Sequence, residues 1–211
     1  MKTNNLYPLF LKLDQIQTLI VGGGDVGLEK INFILKQSPK AKIKLVSETF
    51  HPDLSLRALK LENIELIKRK FIPQDLTGIK VLIVATNRSD TNMEIYQLAQ
   101  SKNILTNVVD HPELCDFYTA AVMKKGAIQI AVSTNGASPT LAKRLRDVLE
   151  EVIPNEVEVT VEMLTEIRTL LKEDLQEKIE ILNSLTTVLS PKNRHYEKLN
   201  GAELLKQINL N

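Results

Sequence analysis

The run Thr18-Leu19-Ile20-Val21 leads directly into Gly22-Gly23-Gly24-Asp25-Val26-Gly27, which sets Gly22, Gly24 and Gly27 in the spacing G-x-G-x-x-G. No other feature constrains the chain as much. A short apolar run, glycines at that spacing and a helical pattern behind them describe a buried strand that turns tightly into a helix. The first glycine allows the turn, the second lets a pyrophosphate approach the backbone, and the third lets helix and strand pack closely. The helix start then offers unpaired N–H groups and a partial positive charge to phosphate. A glycine-rich turn with no ligand is the plain alternative, but the strand before, the helix after and a second strand behind favour a dinucleotide. Gly22, Gly24, Asp25, Val26 and Gly27 are the expected cofactor contacts.

Short apolar runs continue to alternate with helical patterns, the signature of a parallel sheet with crossover helices. Strands are expected at Gln17 to Val21, Lys42 to Val46, Ile64 to Lys68, Val81 to Ala85 and Ile104 to Val108. Helices are expected at Val26 to Gln37 and Asp90 to Ser101, where apolar residues recur at helical spacing. Five strands and their crossovers make a doubly wound α/β domain of the Rossmann-like kind over residues 1–112.

The pattern changes near residue 113. Tyr118 to Met123 and Ala127 to Ser133 are strand-like and separated by Lys124-Lys125-Gly126, so a hairpin is expected. Ser138-Pro139 then supplies an N-cap and a first-turn proline to a helix carrying Leu141, Leu145, Val148, Leu149 and Val152. Residues 113–153 thus read as a strand-strand-helix segment, and 154–211 as a small helical domain. The hairpin strands are apolar on both faces, which points to a homodimer formed through this segment.

Composition closes off several classes of function. A formal net charge of +1 on 211 residues gives no basis for a nucleic-acid surface. The single cysteine, Cys115, cannot form an internal disulfide, which fits a reducing, cytoplasmic setting. The apolar stretch after Met1 is broken by Pro8, Lys12 and Asp14, so neither a signal peptide nor a membrane span is expected. His51, His111 and His195 are scattered without metal-ligand spacing, and no resident metal is expected.

Three further strand ends carry chemistry. Glu48 follows the second strand at about 20 residues beyond the loop, where an acidic side chain grips a ribose 2′-hydroxyl. With Thr49, Phe50 and His51 next and no arginine beside it, NAD is favoured over NADP; Ser47 is the other contact at this point, and a solvated Glu48 is the alternative. Ala85 and Thr86 end the fourth strand at the sheet edge where ligands bind. Asp110 ends Asn107-Val108-Val109-Asp110, where a carboxylate could exchange a proton with a substrate or simply cap the turn into His111-Pro112.

Taken together, Tyr7-Pro8-Leu9-Phe10-Leu11, Val21-Gly22-Gly23-Gly24-Asp25-Val26, Val84-Ala85-Thr86-Asn87, Asn107-Val108-Val109-Asp110 and Ala131-Val132-Ser133-Thr134-Asn135-Gly136-Ala137-Ser138-Pro139 resemble the precorrin-2 dehydrogenase and sirohydrochlorin ferrochelatase family, including the N-terminal module of sirohaem synthases. The resemblance covers residues 6 to 150. It implies NAD-dependent oxidation of the tetrapyrrole precorrin-2 to sirohydrochlorin, with Asp110 as general acid/base and Asn107 and Ser138 at the substrate. A simple N-cap role stays open for Ser138. It also implies a homodimer and, in bifunctional members, insertion of ferrous iron as a second substrate. No methyltransferase-sized segment follows residue 211, so methylation is expected from another polypeptide. An alternative of a different class is an NAD-binding regulatory module that senses redox state, which would need no reactive carboxylate.

Overall fold

The computed structural model describes residues 4–155 and 157–170. Its centre is a five-stranded parallel sheet of β1 (Gln17–Val21), β2 (Lys42–Ser47), β3 (Ile64–Lys68), β4 (Val81–Val84) and β5 (Leu105–Val108). The spatial order is β3-β2-β1-β4-β5, with every neighbouring pair parallel. All five expected strands are present, with ends shifted by at most one residue. The chain winds outward from β1 to β3, then returns to lay β4 against the other side of β1. That reversal opens a crevice at the carboxyl ends of β1 and β4.

Connecting helices are α1 (Asp25–Gln37), α2 (Pro52–Ala58) and α3 (Ser89–Gln100). Alternation along β1 explains how the sheet is covered on both sides. Leu19 and Val21 face a cluster with Ile95 and Ala99 of α3, whereas Ile20 faces Ile31 and Ile34 of α1. Strand β4 is buried along its whole length, as a strand covered by helices on both faces must be. Helix α2 is too short for a periodic apolar signal. Pro52 at its first position starts it, together with His51, whose Nδ1 accepts from the Asp53 N–H at 3.2 Å.

The rest of the described chain comprises β6 (Ala121–Lys125), β7 (Ile128–Val132), α4 (Pro139–Val152) and α5 (Val157–Leu170). Strands β6 and β7 pair as a separate two-stranded sheet, so the hairpin is present but its turn is shorter than expected. Lys124 and Lys125 lie within β6, and Gly126 and Ala127 alone reverse the chain. Gly126 adopts φ 53°, a conformation that glycine takes without strain and that tightens the reversal to two residues. The expected helical region 154–211 begins with α5, and 171–211 fall outside the described residues.

Packing divides the chain into two compact units. Of the described residues, one unit runs through Val122 and includes Ala131–Arg144, and the other combines Met123–Ile130 with those from Leu145 onward. Among the described residues no helix is long and apolar enough to cross a membrane.

Candidate functional site

Backbone bonds fix the glycine turn before any side chain matters. The Gly22 N–H donates to the Val46 carbonyl at 3.0 Å, the Ala85 N–H donates to Val21 at 2.7 Å, and the His51 N–H donates to Gly23 at 2.7 Å. Ends of β1, β2 and β4 are thereby tied around one loop. Gly22 sits at φ +114°, and a Cβ there would strike the Ala85 carbonyl. A Cβ on Gly27 would strike the Gly22 carbonyl, so the third glycine serves helix–strand contact. Gly24 differs from both, because a Cβ built on it meets nothing within 4 Å. Open space above Gly24, at the start of α1, is the shape that a pyrophosphate needs.

That space belongs to a cleft of about 630 Å³ in which Gly22, Gly24, Asp25, Val26, Ser47, Glu48, Ala85 and Thr86 come together. Of the expected cofactor contacts only Gly27 does not line it. Gly23, which the spacing motif leaves unassigned, does line it. This glycine is hemmed in by the Thr49 carbonyl and the Phe50 ring, at 2.5 and 2.6 Å from where a Cβ would stand.

Thr86 is held from behind. Asn92 of α3, only 3% exposed, donates its amide to the Thr86 carbonyl at 3.1 Å and accepts from the Thr86 hydroxyl. The Thr86 hydroxyl in turn accepts from the Arg88 N–H at 3.2 Å. Arg88, Thr91 and Glu94 join the wall from this side.

The opposite end of the cleft corrects one expectation. Glu48 has no basic residue beside it in sequence, but Arg69 and Lys70 follow β3 and line the same cleft. Parallel pairing of Ser47 with Lys68 brings the two strand ends to one edge. Lys70 Nζ stands 4.0 Å from Glu48 Oε1. Arg69 is engaged elsewhere: its two terminal nitrogens donate to Asp75 at 2.8 and 2.6 Å. The guanidinium beside it holds the Asp75 carboxyl below the usual carboxylate range, aided by the Ile72 N–H, while burial opposes the shift. Signals for these residues lie in strand pairing, which local sequence does not reveal.

Asp110, Asn107 and Ser138 do not line this cleft. Asp110 follows β5 at the same carboxyl edge, next to β4, where Val109 N–H donates to Val84 at 2.9 Å. It is exposed and adopts φ 63°, an uncommon conformation that Asp tolerates better than most residues.

Beneath it the turn is packed around Cys115. The thiol sulfur lies 3.3 Å from the Val108 and His111 carbonyls, and the Val108 N–H and Asn107 amide point at it from 3.4 Å. Asn107, 9% exposed, also donates to the Phe117 carbonyl at 2.9 Å, so its amide faces the turn it braces. Burial pushes the Cys115 thiol pKa up, against the Val108 bond. His111 Nδ1 lies 3.1 Å from Glu113 Oε1. The Glu113 carboxyl is held below its usual range by its own backbone N–H and then by His111.

Ser138 caps α4, its hydroxyl accepting from the Leu141 N–H at 3.2 Å. Among the described residues no cluster of three or more His, Cys, Asp or Glu is gathered to hold a metal.

Comparisons with known proteins bear on the family and the fold. A siroheme synthase of Zymomonas mobilis is 35% identical over 168 residues, covering 80% of this chain and 35% of its own length. One from Thioalkalivibrio sulfidiphilus is 38% identical over 151 residues, covering 71% and 30%. The chain therefore spans about a third of the length of these curated relatives. Among solved structures, the precorrin-2 dehydrogenase SirC shares the fold with a TM-score of 0.73 at 24% identity, over 97% of this chain and 99% of its own. A family model described as sirohaem biosynthesis protein central matches residues 125–151. The model described as putative NAD(P)-binding matches residues 9–121, more than half of the 211; the chain belongs to this putative NAD(P)-binding family, in the form that carries the central segment of sirohaem biosynthesis proteins directly behind it.

Proposed function

We propose that the chain is an NAD-dependent dehydrogenase that oxidises precorrin-2 to sirohydrochlorin. The observation that carries this reading is the cleft above Gly24, formed where three strand ends converge, with an exposed carboxylate, Asp110, at the same sheet edge. Support from outside the site comes from likeness to SirC over nearly the whole chain and from relatives named siroheme synthase.

The residues present fit a dinucleotide. Gly24, whose side is open, and the first N–H groups of α1 would hold the pyrophosphate. Glu48 would accept from the ribose 2′-hydroxyl, which favours NAD, and Ala85 and Thr86 would line the cofactor on the β4 side of the cleft. Bound NAD supplies the hydride acceptor. The substrate carbon would give up a hydride to the bound dinucleotide, and Asp110, exposed at the sheet edge, would accept the proton that the substrate loses. Cys115 and Asn107 brace the turn on which Asp110 stands exposed. Ser138 and the start of α4 offer a second anchor for substrate carboxylates.

A homodimer accompanies this proposal. Leu141, Leu145, Val148 and Val152 recur along one side of α4 and are 43–64% exposed, and of the hairpin residues only Met123 is buried. A second copy of the chain would cover both surfaces.

The test is Asp110→Ala. Dehydrogenation of precorrin-2 should fall by at least about a hundredfold, the usual contribution of a general acid/base, with the NAD dissociation constant unchanged. Near-normal turnover in this variant would remove Asp110 from the reaction.

A further inference from the structure

Resting on the dinucleotide reading, we propose that Asp75 is a specificity-determining residue of the cleft. By holding Arg69, it denies a 2′-phosphate the guanidinium that β3 delivers to the ribose end, and so favours a dinucleotide with a free 2′-hydroxyl.

Three observations lead there. First, β2 and β3 end in register, so Glu48 and the Arg69-Lys70 pair emerge at one edge and line one cleft. An arginine beside an acidic strand end is the residue that would ordinarily accept a 2′-phosphate, since its planar fork matches phosphate oxygens bidentately. Second, that fork is already filled. Both terminal nitrogens donate to Asp75, and one also donates to the Lys70 carbonyl at 2.9 Å. Third, the clamp is itself held: the Asp75 side chain is 5% exposed against 40% for Arg69, and the Ile72 N–H donates to Asp75 at 2.9 Å. A buried carboxylate fixed by a backbone donor keeps its guanidinium better than a solvated one would.

Lys70 does not replace Arg69. Its ammonium is a single point charge 4.0 Å from Glu48 Oε1, so the two offset one another near the ribose. Selectivity against a 2′-phosphate then rests on the withholding of Arg69 by Asp75, with Glu48 left as an acceptor for a free 2′-hydroxyl.

The experiment measures NAD and NADP dissociation constants by calorimetry on the full chain, for wild type, Asp75→Asn, Arg69→Ala and the double variant. Asparagine keeps the size of Asp75 but has one acceptor oxygen, so it can hold only one of the two nitrogens. Asp75→Asn should raise NADP affinity relative to NAD by about tenfold, the scale of one charge-assisted bond to phosphate. Adding Arg69→Ala should erase that gain. Arg69→Ala alone, which tests the idea even if Asp75→Asn folds poorly, should leave the ratio within about twofold of wild type. An unchanged ratio in folded Asp75→Asn overturns the proposal, as does a tenfold loss of NADP affinity in Arg69→Ala alone, which would mean that Arg69 already serves a phosphate. Absence of binding of either nucleotide to wild type would instead remove the dinucleotide reading on which the proposal stands.

Discussion

Gly24 and Gly27 lie three residues apart in one turn, yet replacing them should give opposite phenotypes. Gly24→Ala adds a methyl group to open space, so stability should stay within about 1 kcal/mol of wild type. NAD affinity should fall at least tenfold, because the methyl stands where the pyrophosphate approaches. Gly27→Ala drives a methyl into the Gly22 carbonyl and should cost about 2–4 kcal/mol of stability. Thermal melting and calorimetry on both variants separate the effects; wild-type NAD affinity in Gly24→Ala would show that no phosphate rests there.

Charge gives a second residue-scale prediction. The pKa of Asp75 is depressed in the fold, so its contribution is present above the unfolded carboxylate value of about 4 and is lost as pH falls through the lower folded value. Wild type should melt above Asp75→Asn at neutral pH, and the gap should narrow as pH falls below about 4; a gap that did not change with pH would contradict the ion pair. Cys115 runs the other way. Its raised pKa means that the buried thiol favours the fold below about pH 8.5 and ceases to as pH rises beyond it. Alkylation by iodoacetamide at pH 8 should accordingly be much slower in the native protein than in denaturant.

Elements carry the fold, and here the sequence was informative to different depths. Glycine spacing revealed the β1–α1 turn because sterics leave few substitutes at Gly22 and Gly27. Apolar runs revealed all five strands, since each is buried by helices on one or both faces. What stayed hidden depends on pairing or on single turns. Arg69 and Lys70 reach the cleft only through the β2–β3 register. Asn107 is turned toward Cys115 and Phe117 by the path of the chain after β5, which no local pattern specifies. The hairpin turn was overestimated because lysines read as loop residues, although Lys124 takes an exposed strand position and Lys125 a half-buried one.

Two element-scale tests follow from the sheet itself. The Thr18 hydroxyl in β1 is fully buried with no hydrogen-bond partner among the described residues. Thr18→Val should therefore stabilise the protein by about 1 kcal/mol, measured by urea denaturation; a loss of that size would mean that the hydroxyl is satisfied. Asn92→Ala should cost about 1–3 kcal/mol, because it strips Thr86 of both side-chain bonds at the cleft wall.

At the scale of the whole molecule, an open cleft and a half-exposed hairpin make one proposal: a dimeric dehydrogenase with each glycine turn serving one bound dinucleotide. Light scattering should return twice the 23.8 kDa chain mass. Leu145→Glu with Val148→Glu should return the single-chain mass, since two buried carboxylates would oppose association. The most direct test of the proposed activity is anaerobic absorbance of the purified protein with enzymatically generated precorrin-2 and NAD, following NADH and sirohydrochlorin together. The expected result is appearance of both, one for one, at a rate that Asp110→Ala abolishes. NAD binding with no NADH formed would contradict the dehydrogenase and leave a nucleotide-binding module whose glycine turn senses the cofactor without consuming it.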